Sequence, residues 1–187
     1  MALAKYTPAC AKNTAGIRPQ LYLIEANLIT SVTEDSNEIS AVTMSASNKF
    51  HRVNADFDSV QFTSEGTFGT SGASEQKLIF RLSKPTTAMH IFINSLKEAV
   101  TCGAIAIYVD ANAQAWAFGI SAAAKEGKSR PINKLETSFD SGVMPNDENA
   151  QAFTITLSRM GWYDPVPFDT ANNTTILAGT AAFITWD

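Results

Sequence analysis

The stretch from Ser83 to Ile120 constrains this chain most, because its apolar residues change there from the period of a helix to the period of a β-hairpin. They first recur at i, i+3, i+4, i+7 and i+11, which places them on one face of a helix. This apolar stripe consists of Met89, Phe92, Ile93, Leu96 and Val100. Hydroxyl residues and a proline precede the stripe and Gly103 follows it, as is usual where helices begin and end. The sequence therefore predicts one helix over about residues 84–102.

Directly after Gly103, two apolar segments alternate with a period of two residues, which predicts a β-hairpin. The segments are Ala104–Val109 and Ala115–Ile120, joined by the polar connector Asp110–Gln114. The side chains expected to share a face are Ile105, Ile107 and Val109 on the first strand, and Trp116, Phe118 and Ile120 on the second. We expect the core to lie between this apolar sheet face and the apolar stripe of the helix.

The remainder of the chain is typical of short strands separated by loops. The predicted strands are Leu21–Ile24, Glu38–Met44, Lys49–Val53, Ser59–Thr63, Gln76–Leu82, Leu135–Phe139, Gln151–Ser158 and Ala181–Trp186. Thr30–Asn37 is predicted as a loop, and Lys49–Val53 as the antiparallel partner of Glu38–Met44. The predicted fold class is mainly β: an antiparallel β-sandwich or barrel with a single flanking α-helix.

The length of 187 residues fits one β-sandwich domain spanning residues 1–187. Within it we expect an N-terminal arm over about residues 1–16, a glycine-rich loop over residues 64–75 and a C-terminal extension over residues 169–187.

The composition of the chain indicates which classes of partner this domain can have. Charged residues make up 17% of the chain, against about 25% in a typical soluble domain, so part of the uncharged surface is expected to contact other protein. The formal net charge of −4 argues against a nucleic-acid-binding protein, which needs a basic surface. No segment approaches the ~18 apolar residues of a membrane span, and the start has no signal-peptide pattern, so we expect no membrane partner and synthesis in the cytoplasm.

The sequence offers little catalytic chemistry. It has two histidines, His51 and His90, and neither lies in a nucleophile, phosphate-binding or dinucleotide-binding motif. Asp140, Asp147 and Glu148 are of the right type for a calcium ion, but their spacing matches no calcium-binding loop. The prediction is a protein that is not an enzyme and that has no cofactor and no metal site.

The glycine-rich loop, Ser64–Glu75, is the first candidate contact surface. Its glycines and small hydroxyl residues surround a single large apolar residue, Phe68, and cannot offset the entropy of ordering by themselves. We therefore expect the loop to order against a neighbouring subunit with Phe68 as its anchor. A surface loop with one exposed phenylalanine is the alternative.

The three tryptophans supply the second candidate surface. Trp116 alternates with Phe118 and is expected in the core, whereas Trp162 and Trp186 flank irregular or terminal segments. For these two, burial against a neighbouring subunit and stacking on a sugar both stay open. The predicted subunit-contact residues are Gly66, Phe68, Gly69, Gly72, Trp162 and Trp186.

The layout of residues 10–168 resembles the tail tube (major tail) proteins of tailed bacteriophages, and is also similar to other small phage virion proteins. The matching parts are Gly16-Ile17 leading into Leu21–Ile24, the glycine-rich loop, the strand into the helix, Ile105–Asp110, Trp116–Gly119, and Ser141-Gly142 before the strand that ends in Leu157.

The resemblance implies a β-sandwich with one flanking helix, hexameric rings whose inner strands form a continuous barrel, and stacked rings that conduct DNA without binding it specifically. It also implies that the partners are further copies of the chain and other virion tail proteins, in the tail of the virion. Three alternatives stay open: another virion component such as a head–tail connector or capsid decoration protein, a carbohydrate-binding β-sandwich, and an unrecognised hydrolase.

Overall fold

The structure is a computed structural model that describes residues 15–66, 74–120, 131–141, 151–161 and 165–185. These ranges are mainly β, so the predicted fold class is confirmed. The strands are β1 (Ile17–Glu25), β2 (Ile29–Asp35), β3 (Glu38–Met44), β4 (His51–Asn54), β5 (Gln61–Glu65), β6 (Ser74–Ser83), β7 (Ala104–Asp110), β8 (Ala115–Phe118), β9 (Lys134–Asp140), β10 (Ala152–Gly161) and β11 (Val166–Pro167). The helices are α1 (Thr87–Cys102) and α2 (Thr170–Ala178), and Ala26–Leu28 forms a short 3₁₀ turn.

The described strands form three antiparallel sheets. The central sheet has the order β11-β8-β7-β1-β4, the outer sheet has the order β5-β6-β10-β9, and β2 pairs with β3 as a two-stranded ribbon. One face of the central sheet packs against the outer sheet and α1, which form the first core. The opposite face packs against the ribbon, α2 and the residues that follow α2, which form the second core. The central sheet is therefore buried on both sides.

Strands β1 and β7 show directly how one sheet serves two cores. Leu21 and Leu23 of β1 lie in the first core, whereas Tyr22 and Ile24 lie in the second. Strand β7 divides in the same way, with Ala104, Ala106 and Tyr108 in the first core and Ile105, Ile107 and Val109 in the second. A nearly continuous apolar strand is what burial on both faces requires.

The predicted contact between the helix stripe and the face of Ile105, Ile107 and Val109 is therefore wrong. The buried residues of α1 share the first core with Ala106 and Tyr108, which point to the other face of β7. Gly119 adds a second departure, because its φ of +101° breaks the strand alternation. As a result Phe118 faces the first core and Ile120 the second.

Helix α1 itself is confirmed, with its first residue at Thr87. Thr86 caps it by accepting a hydrogen bond from the Met89 N–H at 3.2 Å. Gly103 ends it with a φ of +92°. A Cβ atom at Gly103 would also collide with the Pro131 ring, so both backbone geometry and space favour glycine there.

Replacing Leu96 with alanine should lower the free energy of unfolding by about 2–5 kcal/mol, because it opens a cavity where α1 meets the first core. Leu96 is buried, at 4% exposure. The matched control is Ile91→Ala on the solvent side of α1, where the side chain is 63% exposed and the change should be within about 0.5 kcal/mol. Urea unfolding measures both variants, and equal losses would mean that the helix is oriented differently.

The ribbon corrects two further expectations. Thr30–Asn37, predicted as a loop, contains strand β2, and β3 pairs with β2 instead of with the Lys49–Val53 segment. Strand β4 pairs with β1 in the central sheet. Ser36 and Asn37 turn the ribbon with φ values of 53° and 67°, and positive φ at both central residues is the geometry of a tight two-residue hairpin.

The C-terminal part differs from the prediction in two ways: it contains a helix where no element was predicted, and its predicted strand is not formed. Helix α2 begins after Asp169, whose carboxylate accepts a hydrogen bond from the Asn172 N–H at 2.8 Å, and ends at Gly179 with a φ of +73°. The predicted final strand, Ala181–Trp186, is not formed over residues 181–185, where Ile184 makes a single bridge to Phe50. The described chain thus has two α-helices where one was predicted.

Candidate functional site

The candidate functional features of the described residues are surfaces that could bind a partner. Among them, no group of three or more histidine, cysteine, aspartate or glutamate side chains is placed to hold a metal ion. His51 is exposed on β4. His90 is exposed on α1, where its ring lies edge-on to Phe153 at 5.3 Å.

Of the predicted contact residues, the structure describes only Gly66, which is exposed and directly follows β5. Phe68, Gly69, Gly72, Trp162 and Trp186 lie outside the described residues. Their role in subunit contacts stays a prediction.

The outer sheet has two edge strands, β5 and β9, each paired on one side only among the described strands. Every residue of β9 except Leu135 is exposed. An exposed edge presents a row of N–H and C=O groups that can pair with another strand. The sheet therefore offers two surfaces for strand addition.

The strand directions make these two edges complementary. Each neighbouring pair in the outer sheet is antiparallel, so β5 and β10 run one way and β6 and β9 run the other. If a second copy is placed beside the first in the same orientation, its β5 runs antiparallel to the first copy's β9. An antiparallel ladder can therefore continue from one copy to the next.

The solvent face of the outer sheet carries short ion pairs. Lys77 lies 3.0 Å from Glu75, and Lys134 lies 2.6 Å from Glu136 on β9. The hydrogen bond between the last two raises the pKa of Lys134 and lowers the pKa of Glu136. These side chains are exposed, so the pairs add little stability to the subunit.

An aromatic pocket of about 340 Å³ opens beside edge strand β5. Its lining includes Ile17, Val60, Phe62, Tyr108, Asp110 and Trp116. The Phe62 ring stacks on Tyr108 at 5.6 Å and meets Phe118 edge-on at 5.2 Å. The pocket thus joins the inner face of β5 to the first-core face of the central sheet.

Trp116 is held at this pocket by a polar contact. Its indole N–H donates a hydrogen bond to Asp110 Oδ2 at 3.0 Å, while Asp110 Oδ1 accepts from the Gln114 N–H at 2.9 Å. The Trp116 side chain is half-buried and packs against the first core, so part of its ring remains accessible. The alternation of β8 predicted the core contact but not the pocket.

The opposite edge of the outer sheet carries a partly exposed aromatic ring. Phe139 of β9 is 51% exposed and lies directly across from Phe153 of β10, with the ring centres 4.8 Å apart. Phe153 packs against the first core, so Phe139 lies on the inner face of the sheet as well. Among the described strands, none pairs with β9 on the side away from β10.

Arg159 is a buried charge that sequence reasoning missed, because the predicted strand ended at Ser158. Its side chain is 2% exposed, its Nε donates to Gln76 Oε1 at 2.7 Å, and its guanidinium lies 5.4 Å from the centre of the Phe118 ring. Gln76 in turn donates to Ser74, which donates to the Gly161 carbonyl. A buried charge is tolerated only with such partners, so this network fixes the ends of β6 and β10 against the central sheet.

Comparison with models of known protein families, with characterised proteins and with solved structures gives no match to this chain. In addition, neither helix in the described ranges is long and apolar enough to cross a membrane. The two edges of the outer sheet and the aromatic pocket are the candidate functional surfaces of the described residues.

Proposed function

We propose that this chain is a structural subunit that assembles with copies of itself, and that it is the tail tube subunit of a bacteriophage virion. The observation that carries the proposal is the outer sheet, whose four antiparallel strands give it two complementary edges that are open among the described strands. A contact between two different edges repeats head-to-tail and closes into a ring when the rotation between copies allows it. Ring closure also removes the exposed edges that would otherwise promote aggregation.

The tail tube assignment is supported both by this geometry and by the resemblance of residues 10–168 to tail tube proteins. In that family the inner strands of a ring are expected to form one continuous barrel, and the outer sheet has the strand directions that such a barrel needs. The low fraction of charged residues suits a subunit with large protein contacts, and the net charge of −4 suits a lumen that DNA passes without sticking. Other tail proteins of the virion are the further partners in this proposal.

Light scattering and negative-stain electron microscopy of the purified chain test this proposal. We expect assemblies that grow with protein concentration and that appear as rings or tubes with a central channel. A species of only 20.1 kDa over a wide range of concentration and salt would contradict self-assembly. Closed assemblies without a channel, or binding only to capsids, would favour a connector or decoration protein instead.

The aromatic pocket favours a second candidate function, binding of a carbohydrate. An aromatic ring can stack on the apolar face of a sugar, and Asp110, next to the Trp116 indole, can accept hydrogen bonds from hydroxyl groups. A glycan array tests this candidate. If the pocket binds a carbohydrate, we expect a glycan whose binding signal falls about tenfold in Trp116→Ala. The signal should be unchanged in Phe57→Ala, because Phe57 does not line the pocket.

A further inference from the structure

We propose that the aromatic pocket beside β5 is the socket for Phe139 of a second copy of this chain. This inference rests on the proposed self-assembly and specifies which residues and which strand register make the contact. The two features lie on opposite edges of the outer sheet: Phe139 on β9, and the pocket beside β5. Each copy therefore carries one ring to insert and one socket to receive a ring.

The two features also lie on the same face of the sheet. Phe139 shares the inner face with Phe153, and Phe62 shares it with the buried Leu78 opposite it. If β9 of one copy extends the outer sheet of the next, its inner-face side chains enter the space between that sheet and the central sheet. Phe139 is the large apolar side chain of β9 that is half-exposed, so it is the one available to enter this space.

The charges of the two strands select one register. Glu65 is the single charged residue of β5, and β9 offers Lys134 as its basic residue. Registers that keep the faces aligned differ by steps of two residues. A shift of two residues from the pairing of Glu65 with Lys134 places Glu65 opposite Glu136. The opposite shift places Glu65 opposite residue 132, which precedes β9. Only the register with Glu65 opposite Lys134 pairs opposite charges.

The same register brings the aromatic ring to its socket. Counting antiparallel from Glu65 and Lys134, Gln61 lies opposite Ser138, and Val60 lies opposite Phe139. Val60 lines the aromatic pocket. Charge pairing on the solvent face and burial of Phe139 on the inner face therefore agree on one alignment.

Disulfide cross-linking tests the register. In a background with Cys10→Ser and Cys102→Ser, the pair Gln61→Cys and Ser138→Cys in one chain should form intermolecular disulfides on mild oxidation. The expected result is a ladder of covalent oligomers on a non-reducing gel that collapses on reduction. The control pair, Thr63→Cys and Ser138→Cys, is two residues out of register, about 7 Å along the strand, and should cross-link several-fold less. More product from the control pair would overturn the proposed alignment.

Phe139→Ala tests the socket separately. Phe139 is half-exposed, so the variant should fold, and circular dichroism checks this. Assembly should require at least about tenfold more protein, whereas Ile91→Ala, which removes an apolar side chain that is 63% exposed on α1, should assemble as the intact chain does. If Phe139→Ala assembles normally, the socket is wrong while self-assembly stands. If the intact chain never assembles, the proposed function itself fails. If a saccharide fills the pocket while assembly is unchanged, the socket is likewise overturned.

Discussion

Phe118→Ala should lower the free energy of unfolding by about 3–5 kcal/mol, among the largest losses for a single substitution in this chain. The Phe118 side chain is fully buried, meets Phe62 edge-on, and lies beneath the Arg159 guanidinium. Truncation would leave a cavity at the centre of the first core. It would also remove the ring that offsets part of the cost of burying the arginine.

Urea unfolding followed by far-ultraviolet circular dichroism measures this loss under conditions where the subunit is not assembled. Phe57→Ala is the matched control, because it removes the same ring from an exposed position and should change the free energy by less than about 0.5 kcal/mol. A Phe118→Ala variant with the stability of the intact chain would show that the first core does not close around this ring.

Removing residues 169–187 should abolish cooperative folding. The buried side chains of the second core that this deletion removes are Ile176, Ala181, Phe183 and Ile184. Phe183 stacks on Phe168 at 6.0 Å and meets Phe50 edge-on at 6.2 Å. Without these residues, the second-core face of the central sheet would be covered only in part, by the ribbon and by Phe50 and Phe168. We expect an insoluble product or a collapsed state without fixed packing.

Near-ultraviolet circular dichroism and binding of a hydrophobic dye report this loss of packing. Two single substitutions in α2 of the full-length chain distinguish the effect of losing a buried side chain from the effect of changing a helix residue. Ile176→Ala at 2% exposure should cost about 2–5 kcal/mol, whereas Leu177→Ala at 37% exposure should cost far less. A soluble truncated chain that unfolds cooperatively would mean that the second core is dispensable.

The sequence predicted helix α1 well because three independent signals agreed on it. The apolar stripe, the hydroxyl residues ahead of it and the stop at Gly103 each depend on local geometry, and in the structure Thr86 is the hydroxyl residue that caps the helix. The hairpin of β7 and β8 was predictable for the same reason, since its alternation and its polar connector are local features.

The second core could not be predicted in this way because its parts are distant in sequence. Helix α2 has one buried residue, Ile176, so it carries almost no apolar stripe, and its only local signals are the residues at its ends, Asp169 and Gly179. The sequence of strand β2 is typical of a loop because four of its seven residues are exposed and polar. A signal for the second core existed in β7, whose unbroken apolar run indicates burial on both faces.

The candidate site was only partly accessible from sequence. Alternation in β9 indicates that Phe139 shares a face with Leu135, but its exposure depends on β9 being the last strand of the outer sheet. The aromatic pocket joins β5, β7 and β8, and sheet order determines that proximity. Alternation alone therefore predicts Trp116 in the core, whereas in the structure it also borders the pocket.

The position of β1 between β7 and β4 in the central sheet also governs how the chain can fold. Leu21 pairs with Val53 on one side and with Tyr108 on the other, so the second ladder closes a very long loop. Such non-local pairing is slow to form. During synthesis, β1 leaves the ribosome long before β7 exists, while the ribbon of β2 and β3 can form at once from neighbouring residues. A chain arrested before β7 would expose an apolar strand with one unsatisfied edge, the type of species that aggregates or engages chaperones.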